Sequence, residues 1–178
     1  MPDGLRADRE VLEAARPSAV AALLIQVRRD GCGQLRYAPA WLRDDPTLVA
    51  AAREAALRAI KRQGWRALAS GPEELMHHDA AILAAARASA IEDVSRGSHA
   101  WHFNNIQNRR REAHPLEEMP PVLRNDRAVV LASLTTRGES LMYLSEESKD
   151  DRELVLVAVG NCWDALQFAS PALQADPG

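Results

Sequence analysis

The residues of this 178-residue chain best suited to ligate a metal or move a proton are its five histidines and two cysteines. His77 and His78 stand before Asp79, with Glu73 and Glu74 just upstream, and such a run of donors suggests a metal site. Adjacent histidines, however, do not share a helix face, and Asp79 stands where a helix N-cap is needed. His99 and His102 are spaced to share a face, as paired ligands do, but no thiol or carboxylate supplies a third and fourth position. These read as ordinary surface or half-buried histidines, and neither a metal nor another cofactor is expected.

Nucleophilic catalysis finds no better footing. No serine and neither cysteine lies in a nucleophile elbow or a related local signature. Cys32 sits between Gly31 and Gly33, and Cys162 follows Gly160 and Asn161. Each reads as a small residue at a crowded turn, since a reactive thiol needs an electropositive setting. The Gly31-Cys32-Gly33 run lacks the third glycine and the Lys-Ser/Thr pair of a phosphate loop. Arg109, Arg110 and Arg111 form a basic cluster, but Glu112, Glu117 and Glu118 dilute it into a solvated linker run. No catalytic residue is assigned, and the chain leans away from being an enzyme. The tryptophans are more suggestive. Trp65 and Trp163 each fall three residues before a leucine of the same register, and Trp101 lies between them in sequence. A shared register points first to packing; facing a groove, Trp65, Trp101 and Trp163 become partner-binding anchors, because tryptophan is enriched at binding hot spots.

Composition narrows the scaffold that must position these groups. Alanine dominates the apolar residues while aromatics are only 4%. Alanine favours helices and lets them approach closely, which points away from a sandwich or barrel. A net charge of −3 argues against broad binding to nucleic acid or anionic membranes. The N-terminal residues 1–10 have no apolar signal region, and Ala19 to Val27 is far shorter than the roughly 20 residues needed to span a bilayer. Two cysteines without framework spacing read as reduced thiols, so a soluble cytoplasmic protein is expected.

The organising pattern is internal. Leu123-Arg-Asn-Asp126-Arg-Ala-Val129-Val130-Leu131 is echoed by Asp150-Asp151-Arg-Glu-Leu154-Val155-Leu156, and Asp126, Asp151 and Asp176 are 25 residues apart. In that register Leu134 matches Val159, Leu141 matches Leu166, Leu144 matches Ala169 and Ser145 matches Ser170. Looser copies start at Asp8, Asp45 and Asp79. Each Asp is placed to cap a helix, with proline following it at Pro46 and Pro177. Valines and leucines three, four and eight places later share one helix face. Gly31, Gly64, Gly97 and Gly138 are expected to close the first helices as left-handed caps, and a shorter second helix carries Leu141 and Leu144 or Leu166 and Ala169. Leu154 to Val159 alone could be a strand, but the equivalent Leu48 and Ile82 segments are alanine-rich, so helix is expected.

The expected fold is therefore all-α: degenerate helix-turn-helix repeats of about 25 residues, stacked as a short solenoid-like array. Divergent repeats with insertions occupy 5–106, a connector 107–120 and regular repeats 121–178. The residues from Leu123 to Asp176 resemble the domain of unknown function 4116 family, with looser likeness over 5–12 and 35–50. Ser133 and the turn Gly160-Asn-Cys162-Trp163 depart from its pattern. The resemblance implies tandem helical repeats and carries no activity. The functional expectation is a non-enzymatic interaction module for a protein or peptide, without nucleic acid or membrane. The alternatives are an enzymatic or small-ligand site in the irregular region 73–106, around His77, His99 and Trp101, or a spacer within a larger repeat protein.

Overall fold

The computed structural model describes residues 9–96 and 114–175, and every regular element among them is helical. The apolar run Leu154 to Val159 lies inside the helix Arg152–Asn161. No helix among the described residues is long and apolar enough to cross a membrane. The chain divides into two compact units, Met1–Leu83 and Ala84–Gly178.

In the first unit the helices Arg9–Asp30 and Pro46–Gln63 pack on each other and both contact the 3₁₀ helix Cys32–Tyr37. The packing face of Pro46–Gln63 is Leu48, Ala51, Ala52, Ala55, Ala56 and Ile60, all buried. Four alanines in two turns remove side-chain bulk and let the neighbouring helix approach. The helix Ala80–Arg96 follows, with Ile82, Ala86, Ala90 and Val94 buried at an unbroken spacing of four. In the second unit, Arg152–Asn161 packs on Arg127–Thr136, and the 3₁₀ helices Gly138–Tyr143 and Trp163–Phe168 pack on each other. Val129, Val130 and Leu134 are fully buried on Arg127–Thr136, each such side chain contributing roughly 1.5–3 kcal/mol of gross stabilisation.

The aspartates do cap helices. Asp45, Asp79, Asp126 and Asp151 each accept first-turn amides through Oδ1, from Thr47, from Ala81 and Ile82, from Ala128 and Val129, and from Glu153 and Leu154 respectively. Asp8 and Asp176 lie outside the described residues.

The expected second helix differs in kind. It is 3₁₀, and the turn after it is itself a one-turn α-helix, as in Glu146–Lys149 and Pro171–Gln174. The reason is spacing. Buried residues fall three apart at Cys32, Leu35 and Ala38, at Trp65, Leu68 and Gly71, and at Gly138, Leu141 and Leu144. Three residues per turn puts such a row on one line, whereas an α-helix would skew it. Helix, 3₁₀ helix and short α-helix follow in this order over 9–43, 46–78, 127–149 and 152–174.

The glycine caps also split. Gly31 and Gly64 have positive φ (100° and 68°), but Gly138 does not, and the helix before it ends on extended Arg137. Gly138 is required for room: a Cβ there would collide with the Ala158 carbonyl oxygen of the helix Arg152–Asn161. Gly97 lies outside the described residues. Of the expected connector, residues 114–120 are described and packed, with Leu116 and Met119 buried around the short helix Pro115–Glu118.

Candidate functional site

Four 3₁₀ helices provide corresponding positions, the residue three before the central leucine: Cys32, Trp65, Gly138 and Trp163. The first three are buried. Trp65 is only 4% exposed, with the Arg66 guanidinium 4.5 Å above its ring, so it packs inside and is not presented as a surface anchor. Trp163 is 78% exposed. The leucines behave alike: Leu35, Leu68 and Leu141 are buried, whereas Leu166 is 40% exposed. Leu156 on the preceding helix is exposed as well. One apolar face, covered at three corresponding places, lies open at the fourth. Trp101 lies outside the described residues.

What covers the corresponding face at Gly138 is visible. The helix Arg152–Asn161 lies against it, and Asn161 fastens the contact. Asn161 accepts from the Gly138 amide through Oδ1 (2.9 Å) and donates through Nδ2 to the Thr135 carbonyl (2.8 Å). A single side-chain amide thereby satisfies an acceptor at the end of Arg127–Thr136 and a donor in the turn after it, groups a helix end otherwise leaves open.

Residues 126–174 match the family model of a domain of unknown function, DUF4116. No curated protein and no solved structure matches the chain. The matched segment takes in the caps formed by Asp126 and Asp151, the Asn161 clamp and the open face at Trp163 and Leu166.

The DUF4116 segment also holds half of a serine–histidine pair that inspection of the sequence passed over. His114 is buried, stacks on Tyr143 with ring centroids 4.6 Å apart, and lies 3.1 Å through Nε2 from Ser140 Oγ. Its Nδ1 accepts the Leu116 amide at 3.2 Å, so the imidazole caps the helix Pro115–Glu118. That amide occupies the ring's lone pair. The neutral proton therefore sits on Nε2 and is donated to Ser140, the reverse of what a general base would do. Ser140 is fully buried, out of reach of substrate. Burial and the nearby Arg137 guanidinium push His114 down from 6.5 to about 4, which keeps it neutral for this capping role. The pair is structural. Its trace in the sequence is a polar residue just before Pro115, the pattern also seen at Asp45-Pro46 and Ser170-Pro171.

The other candidates disperse. His77 is half-buried and His78 exposed at the end of the helix Glu73–His78, while the Asp79 carboxylate serves the next helix. His99, His102 and the arginines 109–111 lie outside the described residues. Among the described residues no three histidine, cysteine, aspartate or glutamate side chains are grouped to hold an ion. Cys32 is buried, and its desolvation raises the thiol above its ordinary value; Cys162 is half-buried, and neither is in a disulfide.

Proposed function

We propose that the chain is a non-enzymatic array of tandem helical repeats, stacked in solenoid fashion, whose open face at Trp163 and Leu166 binds an amphipathic helix of a protein or peptide partner. The observation that carries this reading is the exposure of Trp163 where Cys32, Trp65 and Gly138 are buried at corresponding positions. The chemistry of the occupant follows from the covered copy. At Gly138 the cover is a helix whose contact residue is Ala158, with leucine and valine on the same element. A partner helix with small and aliphatic residues spaced four apart fits the same kind of face. Trp163 supplies a wide apolar surface there; covering about 200 Å² of indole is worth roughly 5 kcal/mol before the costs of association.

The experiment is a selection of displayed helical segments on the purified chain, repeated on Trp163→Asp and Leu166→Asp. Binders with an apolar stripe should lose at least tenfold in affinity for both variants and keep it for Leu131→Asp in the helix Arg127–Thr136. Binders indifferent to Trp163 and Leu166, or none at all, overturn the reading. Selection of segments matching only the Arg152–Asn161 helix of the chain itself supports the spacer alternative instead.

A further inference from the structure

The C-terminal ends of the two long helices of the first unit, Arg9–Asp30 and Pro46–Gln63, meet around a cleft of about 380 Å³. Arg28 enters it from the first helix, and Arg58 and Arg62, one turn apart, enter from the second. None of these three side chains hydrogen-bonds or ion-pairs with a described residue. The carboxylate on the rim, Asp30, is held by its neighbour Arg29 through two hydrogen bonds of 2.9 and 3.0 Å. The lining therefore carries three uncompensated positive charges, counting Arg28, Arg58 and Arg62 and cancelling Arg29 against Asp30.

We infer that this cleft is a binding site for a small phosphorylated polyanion. A cation in the last turn of a helix is individually favourable, because it meets the negative end of the helix dipole. That accounts for Arg62 or Arg28 taken singly. It does not account for Arg58 and Arg62 stacked on one face, a like-charge pair that disfavours the helix, together with a third guanidinium on the facing helix. The wall between them is cut back to Ala59 and Gly31, which leaves room for a ligand in place of side chains. Guanidinium groups match phosphate oxygens in bidentate fashion, and the volume lies within the range of small-molecule sites. The positive charge comes from arginine side chains, so no glycine-rich phosphate loop is required of Gly31-Cys32-Gly33. This inference stands apart from the face at Trp163, which belongs to the second unit.

The test is calorimetric titration of the full chain with inorganic tripolyphosphate, with pyrophosphate and with citrate. Tripolyphosphate should bind one to one and more tightly than pyrophosphate. Arg58→Gln and Arg62→Gln should each weaken it at least tenfold, and Arg58→Lys, which keeps the charge but loses the fork, should fall between. Arg96→Gln, an equal change of charge at a residue that does not line the cleft, should leave binding as it is. Circular dichroism of each variant checks that the exposed substitutions leave the helices intact. No binding, equal weakening by Arg96→Gln, or citrate binding as tightly as tripolyphosphate overturns the inference.

Discussion

The Arg53 guanidinium donates through Nε to Oδ2 of Asp79 at 2.5 Å, while Oδ1 of the same carboxylate caps the helix that follows. The two oxygens divide the labour, one for the backbone and one for an arginine of the preceding long helix. Arg16 to Asp45 and Arg87 to Asp126 are built the same way. Arg16, Arg53 and Arg87 each stand eight residues after an aspartate, at 8, 45 and 79, and reach the next capping aspartate in the chain. At Asp151 the donor is Arg127, one residue after its own cap.

This sharing makes the caps more than local. Burial alone raises the Asp79 carboxyl, but hydrogen bonds from Arg53 and from the Ile82 and Ala81 amides outweigh it and hold the group below its ordinary value. A depressed carboxylate stabilises the fold above its unfolded value, about 3.9, and loses that contribution as pH falls through the folded value. Asp79→Ala should cost about 1–2 kcal/mol in urea unfolding at neutral pH. Asp79→Asn, which keeps an oxygen for the amides, should cost less and soften the acid limb. A double-mutant cycle with Arg53→Ala should return a coupling of about 0.2–1 kcal/mol, because the arginine is exposed.

His114 should impose a second, higher pH dependence. Its folded value of about 4 lies below the ordinary 6.5, so the unfolded chain takes up the proton first. Stability is fully present above pH 6.5 and falls between 6.5 and 4, by about 3 kcal/mol if the whole shift is expressed. Urea midpoints measured through that window should decline for the wild type and stay flat for His114→Asn, which retains a cap acceptor without a proton to gain. Matching slopes for the two chains would show that His114 is not held neutral.

Two glycines should respond in opposite directions. Gly138→Ala drives a Cβ into the Ala158 carbonyl and should destabilise by at least ~2 kcal/mol, since backbone must move. Gly160, within the helix Arg152–Asn161, has open space where its Cβ would stand. Gly160→Ala should stabilise by about 0.5–1 kcal/mol through helix propensity and reduced unfolded-state freedom. Thermal unfolding of the pair is the check.

The two thiols should separate cleanly under a disulfide reagent. Cys162 is partly accessible, while Cys32 is buried and its thiol is raised by desolvation. One equivalent should react quickly in the native chain and the second only on unfolding. Cys162→Ser should abolish the fast phase, and Cys32→Ser should leave it unchanged.

Helical class, the capping aspartates and the buried faces of the long helices were legible because each depends on near neighbours. An aspartate caps amides two and three residues on, and apolar residues four apart share a face in any helix. Even the 3₁₀ helices were written in the three-residue spacing of Leu141 and Leu144, where a shorter second helix was expected. Other properties depend on what a distant segment does. Trp65 and Trp163 occupy the same register, yet one is covered and the other open. Gly138 resembles the glycines that cap helices, yet it is needed because the Ala158 carbonyl comes too close for any side chain. His114 is an unremarked residue before a proline until Tyr143 and Ser140 close over it. Arg28, Arg58 and Arg62 become a charged cleft only because two helix ends meet. Local hydrogen bonding and periodicity are properties of the chain itself, whereas burial and charge neutralisation are set by segments far off in sequence, and only tertiary packing brings those together.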